Sequence, residues 1–160
     1  MSKFKNKVLS ILKKDNFVSE ILSFDPKKII NPLLALLYET DESIKWKAVT
    51  SIGIVVNQMA IKDMESARNI MRRLMWNLNE ESGGVGWGSP EAMGEIMAKN
   101  KNLALEYHSI LISYILPERN FIENEELQKG VIWGLNRLRE VYPDLIKEGN
   151  VTHLLKAKRP

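Results

Sequence analysis

The sequence predicts an all-α chain in which about three helical hairpins stack behind an N-terminal helical cap, and three observations carry that expectation. Apolar residues recur at i, i+3 and i+4 along almost the whole chain, a spacing that gathers them on one helical face. Runs of β-branched residues joined by two-residue hairpin turns are missing, so the ordinary signal for a sheet is absent. A ten-residue phrase is written three times, from Ile44 to Gly53, Val85 to Gly94 and Leu127 to Asn136. Its copies start 41 and 42 residues apart, and self-similarity at such a period marks stacked helical units.

The elements follow from the breaks between them. Asp15-Asn16 separates helices expected over 3–13 and 16–23, which form a cap within residues 1–25. Phe24-Asp25-Pro26 opens a helix over 27–39, and Thr40-Asp41-Glu42 opens one over 43–59. Ile61-Lys62-Asp63 starts 64–80, and the glycine-rich stretch from Ser82 to Gly88 precedes 90–99. Lys99 to Asn102 and Pro117 to Asn120 then bound helices over 102–116 and 124–141. Tyr142-Pro143 ends the last long helix, leaving short ones over 143–147 and 151–156 in a tail of residues 143–160. Residues 27–142 hold the repeats, and no low-complexity linker divides the 160 residues into more than one domain.

Composition bounds the function classes. With 44% hydrophobic and 27% charged residues the chain can build a packed core. The absence of cysteine removes disulfides, thiolate metal sites and cysteine nucleophiles and suits a cytoplasmic location. Lys13-Lys14 cuts short the apolar run after the basic N-terminus, so no signal peptide is expected, and no run is long enough for membrane insertion. The net charge of +3 is weak for a nucleic-acid binder and sits at the two ends. Seven lysines lie within residues 1–28, and the chain closes on Lys156-Ala157-Lys158-Arg159-Pro160. They read as a solvated outer face.

The first phrase, with Asp41 before it and Ile44, Lys45, Ala48, Ser51, Ile52 and Gly53 within it, resembles the second helix of a HEAT repeat. The second copy keeps Val85, Ser89, Ala92, Met93 and Gly94, and the third keeps Leu127, Val131, Gly134 and Leu135. A partner helix precedes each, carried by Leu33 to Leu37, by Ile70 to Leu78 and by Ile110 to Ile115. This armadillo-type resemblance implies a right-handed superhelical stack. The stretch from Asp63 to Ile96 is also similar to small HEAT-like proteins of sulfate-reducing bacteria, a likeness that implies scaffold and no catalytic residues.

The middle repeat departs from its neighbours in Gly83-Gly84-Val85-Gly86-Trp87-Gly88, where four glycines in six residues disfavour helix. Helix is expected to restart at Ser89-Pro90-Glu91, with Ser89 as cap, Pro90 first in the helix and Glu91 favouring the dipole. Trp87 then stands on a short loop beside a helix N-terminus, either folded back or lining a binding site. Arg72, Arg73, Trp76, Asn77 and Glu80 project from the preceding helix. Arg73 is expected to pair with Glu80 or Glu91, or to hold a ligand carboxylate against a tryptophan wall. Glu91 and Glu95 share one helical face, a spacing used by carboxylates that share a metal or a proton, but no Glu-x-x-His accompanies them. His108 reads as structural and His153 as a solvated tail residue.

No nucleophile elbow, His-Glu-x-x-His or phosphate-binding glycine loop occurs, and no cofactor is expected. The leading expectation is a non-enzymatic adaptor that holds a protein or peptide through its second-helix surface. Its contacts would include Lys45, Trp46, Trp87, Glu91, Glu95, Lys129 and Arg137, with Arg72, Arg73, Trp76, Asn77, Glu80 and Ser89 beside the glycine loop. The alternative is a carrier or enzyme for a carboxylate-bearing small molecule at Arg73, Trp87, Glu91 and Glu95. HEAT-like folds include DNA-alkylation glycosylases and bilin lyases, but the acidic second-helix phrases disfavour nucleic acid. Pairing of two copies through end faces bearing Met and Trp is a further expectation.

Overall fold

The computed structural model describes residues 2–157, among which there are ten α-helices and no strand. The basic end at Lys158 and Arg159 lies outside the described residues. Helices α1 (Lys3–Leu12) and α2 (Phe17–Leu22) come first, followed by α3 (Pro26–Ala35), whose N-cap Asp25 accepts from the Lys27 N–H at 3.0 Å. Pro32 sits inside α3 and has no N–H to give, and the helix tightens into a 3-10 turn over Leu36–Tyr38. The single helix expected over 27–39 is therefore two elements.

Asp41 caps α4 (Glu42–Lys62), accepting from Ser43 N–H at 2.9 Å. The helix runs past the expected end at 59 because its stop is Asp63, an extended residue that ends α4 and caps α5 (Met64–Asn77) by accepting from Ser66 N–H at 3.4 Å and from the Ser66 hydroxyl at 2.7 Å. Helix α5 ends three residues earlier than expected. Leu78 and Asn79 N–H groups close its last turn on Met75 and Trp76 carbonyls, and Asn79 then caps a 3-10 turn over Glu80–Ser82. Helix α6 (Ser89–Lys99) follows the glycine loop. Asn100 caps α7 (Lys101–Ser113), which loosens into i to i+3 bonds before Pro117. Asn124 caps α8 (Glu125–Val141), and the short α9 (Pro143–Glu148) and α10 (Thr152–Ala157) end the described chain.

Helix α6 lies between α4 and α8, against both. Around these three, α3 packs on α4, α5 on α4 and α6, and α7 on α6 and α8. Helices α1 and α2 close the α3–α4 end, and α9 closes α7 and α8. One hydrophobic cluster runs from Val8 in α1 to Leu155 in α10. Helix α6 is enclosed from Ser89 to Ala98, so its faces are satisfied by neighbours rather than water.

Side-chain contacts join alternate helices, α3 to α5, α4 to α6, α5 to α7 and α6 to α8. Arg73 donates to Asn31 and Arg137 to Glu95 across 42 residues, Asn100 donates to Asn57 across 43, and Arg68 to Glu106 across 38. These separations bracket the spacing of the repeated phrase.

Candidate functional site

The glycine loop is held by close backbone packing. Gly83, Gly86 and Gly88 adopt φ of 77°, 76° and 80°, a region costly for other residues. A Cβ on Gly86 would lie 2.6 Å from the Asn77 carbonyl oxygen, and one on Gly88 would lie 3.0 Å from Leu37 Cβ. The loop thus crosses the end of α5 and reaches the 3-10 turn after α3. Gly88 is the N-cap of α6, and Ser89 is its first residue. The expected Ser89 cap is corrected, since the Ser89 hydroxyl is fully buried and has no hydrogen-bond partner among the described residues.

Glu91 and Glu95 are buried at 5% and 6% exposure, each committed to its own cation. The Lys45 ammonium of α4 lies 2.8 Å from Glu91, and the Arg137 guanidinium of α8 donates to Glu95 at 2.8 and 3.4 Å. Glycine makes room for both. Glu95 Cγ lies 2.6 Å from where a Gly53 Cβ would stand, and the Glu91 carboxyl carbon lies 2.8 Å from the equivalent position at Gly130. Each carboxylate therefore pairs with one neighbouring helix and rests against the backbone of the other. The bond to Glu95 is the main cause that raises the Arg137 pKa. Trp46 and Trp133 lie across from each other with ring centroids 4.6 Å apart, spanning α4 and α8. Side chains of α4, α6 and α8 thus engage one another through these contacts.

Of the residues named for a carboxylate-bearing ligand, Arg73, Glu91 and Glu95 each have a different polar partner. Arg73 donates to Asn31 at 2.8 Å and has no ion pair with Glu80 or Glu91 among the described residues. Arg72 donates to Glu65 and Asn69, both at 2.7 Å, and its pKa is raised chiefly by Glu65. Trp87 is 37% exposed on the loop. Lys129 pairs with Glu126 at 3.2 Å on the outside of α8. His108 packs with Nδ1 2.8 Å from the Ala104 carbonyl oxygen, as a structural histidine would.

Arg72, Trp76 and Glu80 instead line a groove of about 860 Å³ between the end of α5 and the end of α7. Val85 continues the first wall, and Arg119, Phe121 and Glu123 face it from the loop after α7. Trp76, Val85 and Phe121 are 52%, 43% and 42% exposed, large apolar side chains that water leaves uncovered at one place. Both walls are braced. Buried Gln128 donates its amide to the Tyr114 and Ile122 carbonyls, both at 2.6 Å, and Ile122 N–H bonds Tyr114 O at 3.0 Å. The Gly86 contact with Asn77 fixes the other side. Arg119, Phe121 and Glu123 were not evident as site residues from sequence. The readable signal was Phe121-Ile122, an apolar pair in a polar loop.

Tyr114 lies under this groove, and burial pushes its phenol up to about 12. An unfolded tyrosine titrates at about 10. The folded value is higher, so this contribution to stability is full below about pH 10 and is lost as pH rises toward 12. Denaturant unfolding should show a decline of roughly 2 kcal/mol across that window. Tyr114→Phe should be near neutral at pH 7 and lose less stability in alkali, keeping the smaller share from Tyr107, whose phenol burial also raises. An unchanged alkaline decline in the variant would refute the assignment.

Comparison with known proteins finds a distant relative. A 121-residue stretch is 28% identical to an uncharacterized protein of the archaeon Archaeoglobus fulgidus, covering 72% of this chain and 59% of the relative. The chain therefore spans less than two thirds of that relative's length. No protein-family model and no solved structure matches the chain. Among the described residues no helix is long and apolar enough to cross a membrane.

Proposed function

We propose that the protein is a non-enzymatic binding module that holds a peptide segment of a partner protein in the groove between α5 and α7. Its scaffold is a HEAT-like stack of the hairpins α3–α4, α5–α6 and α7–α8, capped by α1 and α2. The recurrence of inter-hairpin contacts near the phrase spacing supports that architecture. The observation that carries the binding reading is the meeting of exposed Trp76, Val85 and Phe121 across a braced groove. Aromatic side chains held by rigid walls anchor a peptide with little ordering cost. The ion pairs of Glu91 and Glu95 already neutralise the acidic residues of the repeat's inner helix, which moves the binding surface to its edge.

Selection from a displayed peptide library tests this reading. Enriched peptides should carry aliphatic or aromatic anchors, and Trp76→Ala/Phe121→Ala should weaken them by about tenfold or more. Both side chains are exposed, so far-UV circular dichroism of the variant should match the parent. Enriched peptides that bind the double variant with full affinity would refute the groove as the site.

A further inference from the structure

The groove carries a charge opposite to that of the whole chain. We infer that its occupant is a basic segment, with arginine or lysine flanking apolar anchors, an inference that rests on the groove being the peptide site. The protein is +3 overall, yet Glu80, Glu81 and Glu123 line the groove and none has an ion-pair partner among the described residues. Of the two facing cations, Arg72 is already engaged by Glu65 at 2.7 Å. Arg119 remains, with only a 3.4 Å contact to the Ser109 carbonyl oxygen.

The groove therefore presents three carboxylates without ion-pair partners against one such guanidinium, that of Arg119, beside exposed aromatic rings. An arginine suits that combination, since its stem and guanidinium plane can lie on an indole or phenyl face while its N–H groups reach a carboxylate. Trp76 with Glu80, and Phe121 with Glu123, are the two places where ring and carboxylate line the same wall. An acidic peptide would bring like charges together at the same distance, which is the repulsive half of the selectivity. Because the carboxylates are exposed, the preference is screened by salt.

Fluorescence anisotropy of the full chain tests this with labelled peptides of equal length in which leucine alternates with arginine, serine or glutamate. At low salt the Arg–Leu peptide should bind about tenfold or more tighter than the Glu–Leu peptide, and the gap should close as salt rises. Glu80→Gln/Glu81→Gln/Glu123→Gln should bring the Arg–Leu and Ser–Leu affinities to within about twofold, while Trp76→Ala/Phe121→Ala should weaken every peptide. Equal affinity for Arg–Leu and Glu–Leu peptides, both still dependent on Trp76 and Phe121, would overturn the charge selectivity and leave the groove standing. Binding that ignores Trp76 and Phe121 would overturn the groove itself.

Discussion

Gly94→Val is expected to destabilise the fold by about 3 kcal/mol or more, read as a large drop in the urea midpoint or loss of a cooperative transition. A Cβ at Gly94 would stand against Gly134 Cα and 2.6 Å from its carbonyl oxygen. Those atoms are backbone, so no flexible side chain can move aside. Relief requires α6 and α8 to separate, which opens the centre of the core. Gly94→Ala should fall between parent and valine. Gly53→Ala makes a useful contrast, since the atom it meets first is the side-chain Cγ of Glu95. That residue can shift at the cost of its bond to Arg137. A Gly94→Val protein with an unchanged midpoint would rule out the close α6–α8 crossing.

Arg137→Ala is expected to cost about 3 kcal/mol, because it leaves the Glu95 carboxylate buried without its cation. The direct test is a double-mutant cycle. Arg137→Ala/Glu95→Gln should recover part of the loss, since a neutral amide in that place is far cheaper to bury than an unpaired charge. Coupling of roughly 1–3 kcal/mol is expected, against near zero if the two side chains act independently. Lys45 and Glu91 should behave similarly on the α4 side, where the lysine also lies 5.0 Å from the Trp46 ring centre. The two pairs tie the middle helix to both neighbours, which gives i,i+4 glutamates a structural use.

Much of the secondary structure was legible. Asp25, Asp41, Asp63, Asn100 and Asn124 all cap helices, and each stands in the sequence as a polar break before an apolar-periodic run. Where α5 stops short, a local cause can be named: the turn closed by Leu78 and Asn79 after it. The glycine loop was visible as a departure from the repeat, and its crowded Gly86 and Gly88 show that the departure is spent on packing.

The site was less legible because its parts come from separate stretches of chain. Glu91 and Glu95 look like a charged face when only α6 is read, and their cations lie on α4 and α8. The repeated phrase aligns Gly94 with Asn136, whereas the fold sets Gly94 against Gly134, two residues earlier. The groove joins the Asn79–Val85 turn to the loop of Arg119 to Asn124. Neither segment is distinctive alone. Of the residues singled out from sequence, Arg72, Trp76 and Glu80 reach the groove, while Arg73, Ser89, Glu91 and Glu95 serve the scaffold.

The four tryptophans supply the most direct test of that division of labour, because Trp76 lies in the groove while Trp46 and Trp133 meet between α4 and α8. Indole N–H signals in a two-dimensional proton–nitrogen spectrum would be followed as the Arg–Leu peptide is added. The Trp76 signal should move to saturation while those of Trp46 and Trp133 stay in place. Movement of Trp46 and Trp133 with Trp76 stationary would put binding on the face of α4 and α8 and contradict the groove.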